Sequence, residues 1–199
     1  MTFMFPPRGG LRAALGLALT LAASLALVLA CPTRSHAQNL VLVNLVVDNQ
    51  AGDILVRFGV DVEGTDKVAA MLREGESLEL RCHVSLTRTR AMWLNKPLAS
   101  ADLALALRHD PLSKRYVAET PGGGPPMTHT ELAMLLSQAW SEIAMHLGSW
   151  HELSRGRKYG LMLEIRLDRL DVPVWLKRSL FFWNWEAAPA THYQLEFTY

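Results

Sequence analysis

The chain has 199 residues, half of them hydrophobic, with 20 Lys and Arg against 19 Asp and Glu and a formal net charge of +1. That length favours one domain with a packed core. The near balance of charge argues against phosphate-backbone binding as the main role, which needs clustered Lys and Arg.

Residues 13–30 read AALGLALTLAASLALVLA without a charge, behind Arg8 and Arg12, and the first acid is Asp48. A basic start, an apolar run and then small residues read as a secretory signal peptide over residues 1–37. Cleavage is expected after Ser35, His36 and Ala37, leaving residues 38–199 as a single β-rich domain that is exported to the periplasm. Two other fates stay open. Residues 11–30 are long enough to remain as a membrane anchor. Val28 to Cys31 (VLAC) has the form of a lipoprotein box with Cys31 lipidated, although Leu29 is bulky where that box prefers a small residue. Cleavage would remove Arg8, Arg12 and Arg34, so that 17 basic residues face 19 acids at a net charge of −2. It would also remove Cys31 and leave Cys82 without an intramolecular disulfide partner, so stability must come from packing.

From residue 39 onward the main signal is alternation, which sends successive side chains to opposite faces of a strand. NLVLVNLVVD (39–48) is apolar on both faces and is expected to be a more buried strand. DILVRFGVDV (53–62) aligns Ile54, Val56, Phe58, Val60 and Val62. DKVAAMLREG (66–75) predicts a short helix ending at Gly75. SLELRCHVSL (77–86) aligns Leu78, Leu80, Cys82, Val84 and Leu86, with Glu79, Arg81, His83 and Ser85 opposite. SADLALALR (100–108) aligns Ala101, Leu103, Leu105 and Leu107, and KRYVAE (114–119) follows the turn HDPLS as the return arm of a hairpin. TPGGGPP (120–126) is a loop.

MTHTELAMLLSQAWSEIAMHLG (127–148) predicts one long helix. Thr128 and Glu131 have capping-box spacing, and Leu132, Leu135, Leu136, Ala139, Ile143 and Leu147 recur at helical intervals up to Gly148. YGLMLEIRLD (159–168) aligns Leu161, Leu163, Ile165 and Leu167, and HYQLEFTY (192–199) aligns Tyr193, Leu195, Phe197 and Tyr199. The expected fold is mainly β (α+β): an antiparallel β-sandwich-like domain of about seven strands, with one long and one short helix. The long helix should cover a sheet edge or close one end of the sandwich. A final aromatic on an alternating strand also suits an outer-membrane barrel, but the capped helix, the Pro-rich breaks and the few strands argue against closure.

No catalytic, metal or cofactor constellation emerges. His146 and His151 lie five apart across Gly148, without zinc-motif spacing, and read as a surface helix end. His83 and His192 fall on the polar faces of their strands, and whether they are cross-strand neighbours is open. Cys82 shares a face with Leu80 and Val84 and is expected to be a buried, inert thiol. There is no G-x-S-x-G, and PGGGPP lacks the Lys-Ser/Thr ending of a phosphate loop.

Two places suggest binding. LTRTRAMW sets Arg88 and Arg90 two apart on one strand face beside Trp93, which suits an anionic partner or cation–π contact. SLFFWNWEAAP (179–189) gathers Phe181, Phe182, Trp183 and Trp185, which either close the open end of the core or form an exposed ledge. The expected function is therefore a non-catalytic module engaging a protein partner through Trp183, Trp185, Phe182, Trp93, Arg88 and Arg90. The alternative is carriage of a lipid or other hydrophobic ligand.

The order of these segments, from DILVRFGVDV through LRCHVSLTRTRAMW, LRHDPLSKRYV, the helix and GRKYGLMLEIRLDRLDVP to LFFWNWE and YQLEFTY, resembles a bacterial family catalogued as domain of unknown function 4390. Asp110, Pro111, Leu112 and Tyr116 in HDPLSKRY, with Trp185, are its most telling pieces. The resemblance covers about residues 39–199. It implies an exported or membrane-anchored bacterial protein without an assigned activity. Some relatives are encoded beside sensor kinase genes, which implies envelope signalling with a membrane sensor component as partner.

Overall fold

A computed structural model of the chain describes residues 39–90, 94–170 and 186–199. The alternating segments form strands as expected, and two more strands, β6 and β7, come from the stretch predicted to be helical, so that the described residues hold nine: β1 (Asn39–Gln50), β2 (Asp53–Glu63), β3 (Leu78–Arg88), β4 (Lys96–Asp110), β5 (Arg115–Ala118), β6 (Met127–His129), β7 (Ile143–Ser149), β8 (Lys158–Arg169) and β9 (Glu186–Thr198). Helix α1 (Thr65–Arg73) follows β2, and α2 (Leu132–Ala139) precedes β7. The strands pair antiparallel in two sheets, β1-β2-β7 and β6-β5-β4-β3-β8-β9. Among the described residues the strands form two open sheets that share one core, as in a sandwich.

One continuous core holds the sheets together. Ile54, Val56, Phe58, Val60 and Val62 of β2 are buried with Leu78, Leu80, Cys82, Val84 and Leu86 of β3 and Leu161, Leu163, Ile165 and Leu167 of β8. Among the described residues Trp140, Tyr159 and Phe58 are the largest fully buried side chains. Burying each such apolar side chain stabilises the fold by roughly 1.5–3 kcal/mol before entropy is counted. Tyr193, Leu195, Phe197 and Tyr199 of β9 pack partly buried against the same core. Side chains also tie β9 to β1: the Tyr193 hydroxyl accepts from the Leu42 N–H at 2.9 Å, and the Thr191 hydroxyl donates to the Leu40 carbonyl at 3.3 Å.

The segment 127–148 is not one long helix. Its start is β6, its end is β7, and only the eight residues Leu132–Ala139 are helical. Ile143 and Leu147 are four apart, an interval that suits a helical turn and two strand repeats alike. The buried row Ile143, Met145, Leu147 against exposed Ala144, His146 and Gly148 shows the two-residue period. The helix ends because the chain must cross β2. The Val60 N–H donates to the Trp140 carbonyl at 2.9 Å, and Ser141 passes over Gly59, where an added Cβ would lie 2.6 Å from the Ser141 carbonyl oxygen. The capping box does not form: Glu131 is the N-terminal cap residue and no side chain caps the helix. Short as it is, α2 contacts β2 of one sheet and β5 and β6 of the other, so it closes the sandwich as expected of the longer helix.

β1 is not a more buried strand but the edge of the smaller sheet, with Val43 and Val46 exposed. Its apolar character on both faces comes from a bulge between Val43 and Val46, where Asn44 has φ +54°. Leu40 and Leu42 face the core before the bulge, and Leu45 and Val47 face it afterwards. One extra residue switches which parity points inward.

Candidate functional site

Antiparallel pairing brings the end of β3, the start of β4 and the start of β8 to one end of the larger sheet. Arg88 lies opposite Lys96 on one side and Tyr159 on the other, and the Thr89 N–H extends the ladder to the Lys158 carbonyl at 2.9 Å. Arg88 is the last position of the inward-facing row Leu78 to Leu86, and it sits half-buried at the mouth of the sandwich beside the buried Tyr159. Tyr159 is itself fixed by stacking on Phe197 at 5.6 Å and by hydrogen bonds to the Ser154 backbone.

Just beyond, Arg90 is exposed, and its N–H donates to the Asn95 side chain at 3.4 Å. Arg88, Thr89, Arg90 and Arg157 line an open cleft of about 280 Å³. Lys96 and Lys158 lie in register beside it.

Several arginines elsewhere in the domain are held in ion pairs. Arg57 pairs with Asp48 at 2.5 Å and with Glu142, Arg81 with Glu79 and Asp168, Arg166 with Glu164, and Arg169 with Glu76. Among the described residues Arg88, Arg90 and Arg157 have no such acid within ion-pair distance, as is also true of Arg73, Arg108, Arg115 and Arg155, but the first three share one cleft. Three guanidinium groups around one cleft present planar, bidentate donors suited to carboxylate or phosphate.

The structure thus brings Arg88 and Arg90 together. Trp93, Phe182, Trp183 and Trp185 lie outside the described residues. Sequence reasoning missed Arg157, Lys158 and Lys96. A signal existed in the basic run SRGRKYG before β8, which antiparallel pairing with β3 carries to the same end.

Cys82 is buried, and loss of solvation pushes its thiol up to about 12. His146 lies exposed on β7 and His151 in a short 3₁₀ turn, so neither flanks a helix end. His83 and His192 are not neighbours: each lies opposite Glu164, from β3 and β9 respectively. His83 Nδ1 meets Asp102 on β4 at 2.7 Å. Among the described residues no group of three or more His, Cys, Asp or Glu is placed to hold a metal ion.

Asp110 holds its turn by accepting from Ser113 Oγ at 2.6 Å and the Leu112 N–H at 3.0 Å, and these bonds lower its pKa from the ordinary carboxylate value. Tyr116 is buried with its ring 5.0 Å from His109, whereas Leu112 is 94% exposed at the turn tip. The pieces that carry the family resemblance therefore include a hairpin lock. Among the described residues no helix is long and apolar enough to cross a membrane.

Comparison with curated proteins and with solved structures gives no match. Residues 37–196 match a family described as Domain of unknown function (DUF4390), and on that match the chain belongs to this family.

Proposed function

We propose that the domain is an exported, non-catalytic interaction module that grips an acidic segment of a protein partner in the arginine cleft. One observation carries the reading: Arg88, Arg90 and Arg157 line one cleft, and no acid is among the residues that line it. Unmatched guanidinium groups at a rigid sheet end are pre-organised for carboxylates, and such complementary charge gives specificity and fast association. Export to the periplasm is supported by the leader-like residues 1–37, and a membrane sensor component as partner by the family resemblance.

The test is fluorescence anisotropy of a labelled Glu-rich peptide against the protein and its Arg88→Gln, Arg90→Gln and Arg157→Gln variants, with circular dichroism as the check on folding. Each variant is expected to weaken binding by about three- to tenfold, and rising salt to weaken the parent more than the triple variant. Arg115→Gln, remote on β5, should leave binding unchanged. Equal affinity for parent and triple variant would overturn the proposal.

A further inference from the structure

β4 is fifteen residues long, but β5 pairs with only Leu107 to Asp110. Just beyond, the pairing ends with the Glu119 N–H donating to the Ala106 carbonyl at 2.9 Å and the Ala106 N–H donating to the Glu119 carboxylate at 3.0 Å. Ala106 therefore presents its backbone groups to the β5 side. By strand alternation Ala104, Asp102 and Ser100 do the same, while the residues between them bond to β3. Among the described residues no strand pairs with that side of β4 before Ala106. Lys96 and Pro97 protect the start of the strand, but from Leu98 to Leu107 there is no proline and no lysine, and the one charge is Asp102.

β7 of the smaller sheet lies close to β4, and the ground beside this edge is open at its Ala104 end. A groove of about 430 Å³ opens at the Ala104 end of this edge, lined by Ala104 and Ala106, by Arg108, Val117 and Glu119, and by the loop glycines Gly122, Gly123 and Gly124; it does not reach Ser100 or Asp102. A wall of glycines offers backbone and no side chains, which leaves room for a chain to lie against β4. On the inner face, Ala101 and Leu103 are only half-buried at the margin of the core. On the outer face, Ser100 and Ala104 are small, and the Asp102 side chain is 81% exposed with one oxygen held by His83.

We infer that β4 accepts an extended peptide segment of a partner as an added antiparallel or parallel strand, with Ser100, Asp102 and Ala104 supplying the backbone bonds. The complementary segment alternates apolar residues, which cover Leu103 and Ala101, with basic residues, which meet the free oxygen of Asp102. Backbone pairing supplies affinity in this mode and the alternate side chains supply specificity. This surface is separate from the arginine cleft and has the opposite charge preference, so the two proposals stand or fall independently.

The probe is a capped peptide, Val-Lys-Val-Lys-Val, and the readout is amide hydrogen exchange resolved at Ser100, Asp102 and Ala104, with affinity from anisotropy of a labelled copy. Exchange at those three amides is expected to slow on binding. Backbone N-methylation of the peptide residues that face β4 should weaken binding by about tenfold or more, while leaving the protein untouched. Asp102→Lys should reverse the preference towards Val-Glu-Val-Glu-Val. Unchanged exchange at saturating peptide, or equal affinity for the N-methylated peptide, would overturn the inference. Protection of the same amides in a dimer of the free protein would also overturn it, because the edge would then belong to a second copy.

Discussion

Replacing Gly59 with alanine tests why the helix stops at Ala139 and β7 begins. An added Cβ would lie 2.6 Å from the Ser141 carbonyl oxygen and 3.3 Å from its carbon, and both are backbone atoms. Restoring ordinary contact near 3.4 Å requires the crossing chain to move by about 0.8 Å. Overpacking of this kind costs roughly 1–3 kcal/mol. The same movement stretches the 2.9 Å hydrogen bond from Val60 to the Trp140 carbonyl, which adds about 1 kcal/mol. Restricting the unfolded chain returns about 0.4–1 kcal/mol.

The net loss is therefore about 1–3 kcal/mol. Urea unfolding followed by Trp fluorescence should show it as a midpoint lowered by roughly 0.5–1.5 M with an unchanged slope. Gly160→Ala is the control, because its Cβ would meet only the Thr87 hydroxyl, at 3.4 Å. If Gly59→Ala is no less stable than Gly160→Ala, the close crossing at β2 is wrong.

Three further outcomes follow from the packing. Tyr193→Phe leaves the Leu42 N–H without its 2.9 Å partner and should cost about 1–2 kcal/mol by the same urea assay. Cys82 should resist a thiol reagent in the folded protein and react fully in denaturant; its raised folded pKa means the folded state keeps a proton that the unfolded state loses near pH 8.5, so stability should fall as pH rises from about 8.5 towards 12. Asp110→Ala should lower the melting temperature near neutral pH, and since the folded pKa is depressed, that difference should shrink as pH falls below about 4.

Strand positions were legible wherever one face is buried, because alternation is then enforced: Leu78 to Leu86 and Leu161 to Leu167 read directly as inner rows. The reading failed where a local device breaks the period. The bulge in β1 exchanged inward and outward positions, so the segment read as apolar on both faces and more buried than it is. At Ile143 and Leu147 an interval of four served both helix and strand, and the deciding contact, Gly59 beneath Ser141, joins residues more than eighty apart in sequence. The site was half legible. Arg88 and Arg90 stood out locally, but Arg157 joins them only through β3–β8 pairing, and the open side of β4 depends on how short β5 is. A hairpin signal in sequence gives the turn and not the length of the return arm.

The most direct test of the functional account is a titration of the ¹⁵N-labelled protein with the Glu-rich peptide, followed residue by residue. The account predicts saturable shifts confined to the cleft formed by Arg88, Thr89, Arg90 and Arg157, with the signals of β5 and α1 unmoved. Shifts centred elsewhere, or none at all while the protein remains folded, would contradict it.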